Sequence, residues 1–125
     1  MGVDIRVHME YRHKKNHRWI YYDKEFQTYR CYGLFEMLGG LTGNVLISSR
    51  GLPDDATPET QKAYRGGGYC PSWITAPELR LCLDKMYSKY NIEYKSMTEY
   101  ELIYRYMQDS DDEDEPSRLI FWFDQ

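Results

Sequence analysis

Alternation of apolar and polar residues is the clearest pattern near the start of the chain. Every second residue from position 3 to position 11 is apolar or aromatic, and the residues between them are charged or histidine. A period of two is typical of a β-strand with one face on a core. The polar segment 13–18 then precedes the aromatic run Trp19-Ile20-Tyr21-Tyr22. The two apolar segments are therefore predicted to pair as a β-hairpin.

Helical spacing appears twice in the first half of the chain. Segment 29–41 has apolar residues on one face, and Gly39-Gly40 is predicted to end that helix. Thr57-Pro58-Glu59 has the pattern of an N-cap followed by proline at the first helical position. This short helix is expected to stop before Gly66-Gly67-Gly68, which is predicted to be a loop. Between the two helices, the short apolar run 45–47 is a weak strand candidate.

Two further helices are predicted in the second half. Thr75-Ala76-Pro77-Glu78 is a capping box, and the amphipathic pattern that follows it continues to Tyr90. A second capping box begins at Ser96 or at Thr98, and its helix is expected to end near Gln108.

The end of the chain combines an acidic run with an apolar one. Segment 109–117 is predicted to be an acidic loop, and 118–123 has the composition of a buried strand that joins the sheet. The pattern as a whole predicts one α+β domain over residues 1–125. Its small antiparallel or mixed sheet, formed by the N-terminal hairpin and the C-terminal strand, should pack against three to four helices.

Composition narrows the class of protein. Hydrophobic residues make up 42% of the chain and charged residues 29%, which is a globular composition rather than a disordered one. No apolar run reaches the roughly 18 residues of a membrane span, so a cytoplasmic protein without membrane contact is expected. Cys31, Cys70 and Cys82 form no C-x-x-C pair, so we predict neither a metal site nor a cofactor.

Aromatic residues and an uneven charge distribution favour a binding role. The chain holds 13 tyrosines, which serve on binding surfaces as well as at core edges. The net charge is −4, with a basic cluster at 12–18 and an acidic run at 109–115 that could attract each other. The acidic run is either a solvated loop or a partner-binding surface. Its candidate partner-binding residues are Asp109, Asp111, Asp112, Glu113, Asp114 and Glu115.

A small-molecule site is the second chemical candidate. The polar row of the first strand either lines a groove or is the solvated face of the sheet. Loops 48–55 and 65–73 offer backbone amides, cations and aromatic faces to an anion. The candidate ligand-binding residues are Asp4, Arg6, His8, Arg50, Arg65, Tyr69 and Trp73. No catalytic signature is present, so no catalytic residue is predicted and enzymatic activity has no support.

Four segments in this order carry a resemblance to a known family. They are Met1-Gly2-Val3-Asp4-Ile5, Arg30-Cys31-Tyr32-Gly33-Leu34-Phe35, Arg50-Gly51-Leu52-Pro53-Asp54-Asp55 and Ser72-Trp73-Ile74-Thr75. They resemble a family of small phage and prophage proteins that open with M-G-C-D-I-H. Members of that family also carry R-N-Y-x-L-F, R-G-L-P-E-D and D-x-H-S-H-S-W-L-T segments. The resemblance covers about residues 1 to 80.

The chain departs from the family pattern where that pattern has cysteine and histidine. Val3 and Arg6 stand in place of the first Cys and His, and Tyr69 and Pro71 in place of two histidines. The resemblance therefore implies the scaffold and the loops, and no metal or hydrolytic role. It also implies an origin in a phage, where small proteins commonly act against host defence.

Three functions follow as expectations. The first is a phage-encoded binding protein in the host cytoplasm that antagonises a defence system, for example an anti-CRISPR inhibitor that occludes the effector. Its partner would be a host defence protein or nucleoprotein complex, met by acidic side chains rather than by direct nucleic-acid binding. The second is a sponge or hydrolase for a small cyclic nucleotide. The third is a homo-oligomeric structural or regulatory phage protein.

Overall fold

Strands from the two ends of the chain lie side by side in the middle of one antiparallel sheet. The computed structural model describes residues 2–39, 45–93 and 97–124. Within those ranges the sheet has four strands in the order β2-β1-β4-β3, accompanied by four helices, which confirms the α+β class. The elements are β1 Asp4–Arg12, β2 Trp19–Tyr21, α1 Tyr32–Met37, α2 Pro58–Tyr64, β3 Tyr69–Ile74, α3 Ala76–Tyr90, α4 Thr98–Asp112 and β4 Ser117–Asp124.

The predicted hairpin and the predicted C-terminal strand are both confirmed. β1 pairs with β2 so that Tyr11 lies opposite Ile20. On its other side β1 pairs with β4 from Asp4 opposite Asp124 to Tyr11 opposite Ser117. All residues of β4 except the last are buried, as a central strand covered on both faces requires.

The main core lies between one face of the sheet and helices α1, α3 and α4. Val7 and Met9 of β1 and Phe121 and Phe123 of β4 point into it and are almost fully buried. The ring of Phe35 from α1 meets Phe123 edge-on, with ring centroids 5.2 Å apart. The odd-numbered residues of β1 thus form the apolar face that the alternation predicted.

The opposite face of the sheet is covered as well. Ala56, which precedes α2, packs on Ile120 and Trp122 of β4 in a second apolar cluster. This layer extends over the polar row of β1, where His8 is 2% exposed and Glu10 0%. The prediction of an open groove or a solvated face is therefore wrong for these two residues.

β3 occupies a segment that was predicted to be a loop. Pro71 lies within the strand, where it is tolerated because β3 is at the edge of the sheet. The register shifts between Tyr69 and Ser72, and Cys70 has a positive φ of 53°. This bulge explains why the segment shows no simple alternation. Residues 45–47, the weak strand candidate, form no strand.

Two helix boundaries also differ from expectation. α4 continues through Asp112 instead of ending near Gln108, so the predicted acidic loop starts only after that helix. α1 is shorter than predicted and begins at Tyr32, while the carbonyl of Tyr29 accepts a hydrogen bond from the Tyr100 hydroxyl. Gly40 and Ser96, which marked a predicted end and a predicted start, lie outside the described residues. α2 and α3 begin at the predicted caps.

Candidate functional site

The residues predicted to bind a ligand are spread over separate places. Asp4 accepts a hydrogen bond from Arg30 Nε at 2.7 Å, and this partner lowers the pKa of the Asp4 carboxyl. Arg6 Nε donates to Glu25 Oε1 at 2.6 Å, and its Nη1 lies 3.8 Å from Asp124 Oδ2. The two side chains of this row that remain accessible are therefore already paired with opposite charges.

Arg6 and Tyr69 do share one open cleft of about 620 Å³. Its other walls are the glycine run 66–68 and Asp124. A Cβ on Gly68 would lie 2.4 Å from Trp122 Cδ1, so only glycine lets this loop approach the indole. Arg65 is exposed at the end of α2 and precedes the glycine run, but it does not line the cleft.

His8 is buried between an aromatic ring and two polar side chains. Its imidazole stacks on Trp122 with a centroid separation of 4.9 Å, and its Nδ1 is 2.6 Å from the Tyr21 hydroxyl. Its Nε2 has no hydrogen-bond partner among the described residues and lies 3.5 Å from Glu25 Oε1. The nearby carboxylate favours the tautomer with the proton on Nε2, so the Tyr21 hydroxyl donates to Nδ1.

The electrostatics of this cluster do not favour nucleophilic catalysis. Burial lowers the pKa of His8, and burial together with Glu25 raises the pKa of Tyr21 to about 12. An activated nucleophile needs a lowered pKa or a base strong enough to take its proton, and burial makes His8 a weaker base than an ordinary histidine. Tyr21, His8 and Glu25 are thus arranged to hold the hairpin on the sheet, with the phenol and imidazole both neutral.

Arg50 serves as a clamp between loop 48–52 and the start of α3. Its two guanidinium nitrogens donate to the two carboxylate oxygens of Glu78, and Nη1 also donates to the carbonyl of Trp73 at 3.1 Å. Its guanidinium lies 4.5 Å above the Trp73 ring. Arg50 also lowers the pKa of Glu78, whose carboxylate completes the capping box of α3. The charge and the aromatic face predicted to bind an anion are therefore engaged with each other.

Glu10 and Arg118 form a buried ion pair on the same face as His8. Glu10 Oε1 accepts from Arg118 Nε at 2.9 Å and Nη2 at 2.6 Å. Glu10 Oε2 accepts from the backbone amide of Thr57 at 2.8 Å and the Thr60 hydroxyl at 2.7 Å. Arg118 also reaches Asp55 at 2.8 Å. Every oxygen of the buried carboxylate is satisfied, so this pair fastens α2 to the sheet.

A different surface combines tyrosines with the acidic run. A cleft of about 660 Å³ is bordered by the β1–β2 hairpin and the second half of α4, and we call it the acidic groove. Its lining comprises Met9, Tyr11, Tyr21, Tyr22, Asp23, Tyr106, Asp109, Ser110, Glu113 and Glu115. Four of these ten residues are tyrosines, four are carboxylates, and none is lysine or arginine, so the groove favours a cation.

Aromatic packing fixes one wall of the acidic groove. Tyr22 stacks on Phe26 with centroids 5.9 Å apart, and Tyr106 lies 5.5 Å from Tyr22 and 6.1 Å from Phe26. On the far side of this wall a second cleft of about 320 Å³ includes Leu102, which is 45% exposed. The rings are held by one another, so they present a preformed surface.

The members of the acidic run have different roles. Asp109, Glu113 and Glu115 line the acidic groove. Asp111 instead accepts hydrogen bonds from the amide and the hydroxyl of Ser117, at 2.7 and 2.9 Å, and so joins the end of α4 to β4. Asp112 accepts from Gln108, and Asp114 lies beside the basic loop at 13–17. All six acidic residues were predicted from the sequence to bind a partner, and three of them line the groove.

The sequence reasoning missed Asp23 and the tyrosines of the groove. The high tyrosine content was the available signal, but it could not say which rings share a surface. The acidic and basic segments do lie next to each other, as the charge pattern suggested. The Lys14 amide donates to Glu115 Oε2 at 3.2 Å, and the Arg12 amide donates to the Pro116 carbonyl at 2.8 Å.

The described residues contain no cluster of three or more His, Cys, Asp or Glu side chains suited to a metal ion. Over the same ranges, no helix has the length and apolar character needed to cross a membrane. Comparison with protein-family models, curated proteins and solved structures found no match.

Proposed function

We propose that this protein binds a basic surface of a partner protein through the acidic groove. The observation that carries the proposal is the lining of that groove, where tyrosines and carboxylates converge and no lysine or arginine of the described residues takes part. The fixed wall of Tyr22, Phe26 and Tyr106 supports it, because a preformed site loses little conformational entropy on binding.

Lysine and arginine side chains suit both parts of the lining. A cation over an aromatic face gains about 0.5 to 2 kcal/mol, depending on how far it is desolvated. Hydrogen bonds from a cation to a carboxylate are shorter and stronger than neutral ones. Asp109 and Glu113 are exposed at the rim, where they also attract a basic partner from a distance and raise the association rate.

The partner that we propose is a defence complex of a bacterial host. The resemblance to phage proteins supports a role against host defence in the host cytoplasm. Effectors that hold nucleic acid do so with channels rich in lysine and arginine. An acidic groove that occupies part of such a channel would block access of the nucleic acid, as an anti-CRISPR inhibitor does by occlusion.

Binding of the full chain to a purified CRISPR effector with its guide RNA tests this proposal. The double variant Asp109→Asn/Glu113→Gln removes two charges of the groove and keeps the shape of the side chains. We expect affinity to fall at least about tenfold, or about 1.4 kcal/mol, and the salt dependence of binding to weaken. Isothermal calorimetry at two salt concentrations measures both.

A matched control changes the net charge equally on the other side of the sheet. Asp54→Asn/Glu59→Gln alters two exposed carboxylates beside and within α2, which packs on the opposite face. This control should bind like the wild type. Equal affinity of the groove variant and the wild type would contradict the proposal, and so would an equal loss in the control.

The cleft of Arg6 and Tyr69 supports a second candidate function, as a sponge or hydrolase for a cyclic nucleotide. The glycine run 66–68 lets backbone come close to a ligand there, and Tyr69 offers a ring for base stacking. The pairing of Arg6 with Glu25 and Asp124 counts against an anion. Incubation with cyclic dinucleotides, removal of free ligand and denaturation of the protein separates the cases. Intact nucleotide indicates a sponge, cleaved nucleotide a hydrolase, and no nucleotide removes this candidate.

A further inference from the structure

The two edges of the sheet differ in how they are protected. At the β3 edge, Pro71 has no amide hydrogen and its carbonyl accepts a hydrogen bond from the Ser49 hydroxyl at 3.0 Å. The Arg50 amide donates to Ser72 Oγ at 2.8 Å on the same side. Proline, a bulge and a covering segment are the usual devices that prevent a further strand from adding to an edge.

The β2 edge has a different character. The Tyr22 amide donates to the Met9 carbonyl at 2.9 Å, and the His13 amide donates to the Arg18 carbonyl at 2.8 Å. Because hydrogen bonding alternates along an antiparallel pair, residues 18, 20 and 22 direct their backbone groups toward β1. The amides and carbonyls of Trp19 and Tyr21 then point away from the sheet. In the described ranges β2 pairs with β1 alone.

The acidic groove begins at this same edge. Tyr21 and Tyr22 belong to its lining, and Asp109 and Glu113 lie across it on and just after α4. Side chains of a strand beside β2 would alternate between the two faces, with about 7 Å between successive residues on one face. Every second side chain would therefore face the groove.

We propose that an extended, basic segment of the partner adds to β2 as a fifth strand and places alternate lysine or arginine side chains in the acidic groove. This inference rests on the proposed function and specifies how the partner binds. Backbone hydrogen bonds to Trp19 and Tyr21 supply the register, and the carboxylates select basic side chains. The occupant is a segment of another protein because the groove is acidic and the free edge is only three residues long.

A synthetic peptide that alternates lysine and valine over six residues is the probe. The full-length protein should bind it, and a peptide with glutamate in place of lysine should not bind. Two further peptides carry N-methyl groups, one on every lysine and one on every valine. In a strand beside β2, the backbone amides of either the lysines or the valines point toward β2, but not both. We therefore expect one methylated peptide to lose at least tenfold in affinity and the other to bind nearly as well as the parent peptide. Amide signals of Trp19 and Tyr21 should shift and gain protection from hydrogen exchange.

The outcomes separate strand addition from the function of the groove. Equal binding of both methylated peptides, together with weaker binding to the Asp109→Asn/Glu113→Gln variant, overturns strand addition and supports the groove. No binding of the parent peptide also overturns strand addition, whereas the effector experiment alone decides the proposed function. A protein that is dimeric without peptide, with the Trp19 and Tyr21 amides protected, shows that a second copy occupies the edge and overturns the inference.

Discussion

Replacing Arg118 with Met is expected to lower the free energy of unfolding by about 3 to 5 kcal/mol. The side chain of Arg118 is 7% exposed, and that of its partner Glu10 is 0% exposed. The change removes two hydrogen bonds to Glu10 Oε1, those to Asp55, and the contact of the guanidinium with the Trp19 ring at 3.7 Å. Because a domain is stable by only about 5 to 15 kcal/mol, this is a large part of the total.

Most of that loss should come from the carboxylate that is left behind. Without Arg118, the donors to Glu10 that remain among the described residues are the Thr57 amide and the Thr60 hydroxyl. The double variant Glu10→Gln/Arg118→Met has no orphaned charge, so its loss should be smaller than the sum of the two single losses. We expect a coupling of about 2 kcal/mol between the two sites.

Urea unfolding followed by far-ultraviolet circular dichroism measures these changes. With a slope of about 2 kcal/mol per molar urea, the midpoint for Arg118→Met should fall by about 2 M. Arg118→Lys, which keeps the charge but loses the fork of donors, should lie between the variant and the wild type. Arg30→Met breaks an exposed pair with Asp4 and should leave the midpoint unchanged. A midpoint for Arg118→Met that equals that of Arg30→Met, or additive losses in the double variant, would refute the reasoning.

The remaining predictions concern His8, Gly68 and Cys82. Burial lowers the pKa of His8 from its usual 6.5, so the unfolded chain takes up a proton that the folded protein does not. The contribution of His8 to the free energy of unfolding should therefore be fully present above pH 6.5 and be lost below it, by up to about 1.4 kcal/mol per pH unit. The difference between the urea midpoints at pH 7 and pH 5 should be smaller in His8→Phe than in the wild type. Gly68→Ala would place its Cβ 2.4 Å from Trp122 and should lower the free energy of unfolding by about 1 to 3 kcal/mol. Gly66→Ala meets only an ordinary contact and should be nearly neutral. Equal thermal midpoints of the two variants would contradict this prediction. Cys82 is buried, and burial raises its pKa to about 11, so iodoacetamide at pH 8 should modify it only when urea unfolds the protein. Modification of Cys82 in the folded protein, detected by mass spectrometry, would contradict this.

Local signals in the sequence predicted much of the fold. β1 shows strict alternation, and the caps at Thr57 and Thr75 each involve residues within one helical turn. β3 was missed because a proline and a bulge hide its strand pattern. Its pairing with β4, whose residues lie about 50 positions away, compensates for both. α4 was predicted too short because acidic residues are unfavourable at a helix C-terminus, and the sequence does not show that Asp111 accepts hydrogen bonds from Ser117 there.

The candidate site was less predictable for the same reason. The polar face of β1 looks solvent-exposed from its pattern, yet Glu10 is paired with Thr57, Thr60 and Arg118, which are 47, 50 and 108 positions away. A buried carboxylate whose partners are that distant leaves no periodic trace. The acidic half of the groove was visible as a run of charges. Its aromatic half was not, because four tyrosines from three segments meet only in the folded chain.

The central position of β4 has a consequence for synthesis of the protein. β1 and β3 are not neighbours, and each pairs with β4 along its length. Until residues 117–124 are available, neither β1 nor β3 has its central pairing partner. Contacts between residues more than 100 positions apart also slow folding. Exposure to chaperones and proteases should therefore be greatest just before the final strand emerges, and a destabilised variant is most at risk of loss at that stage.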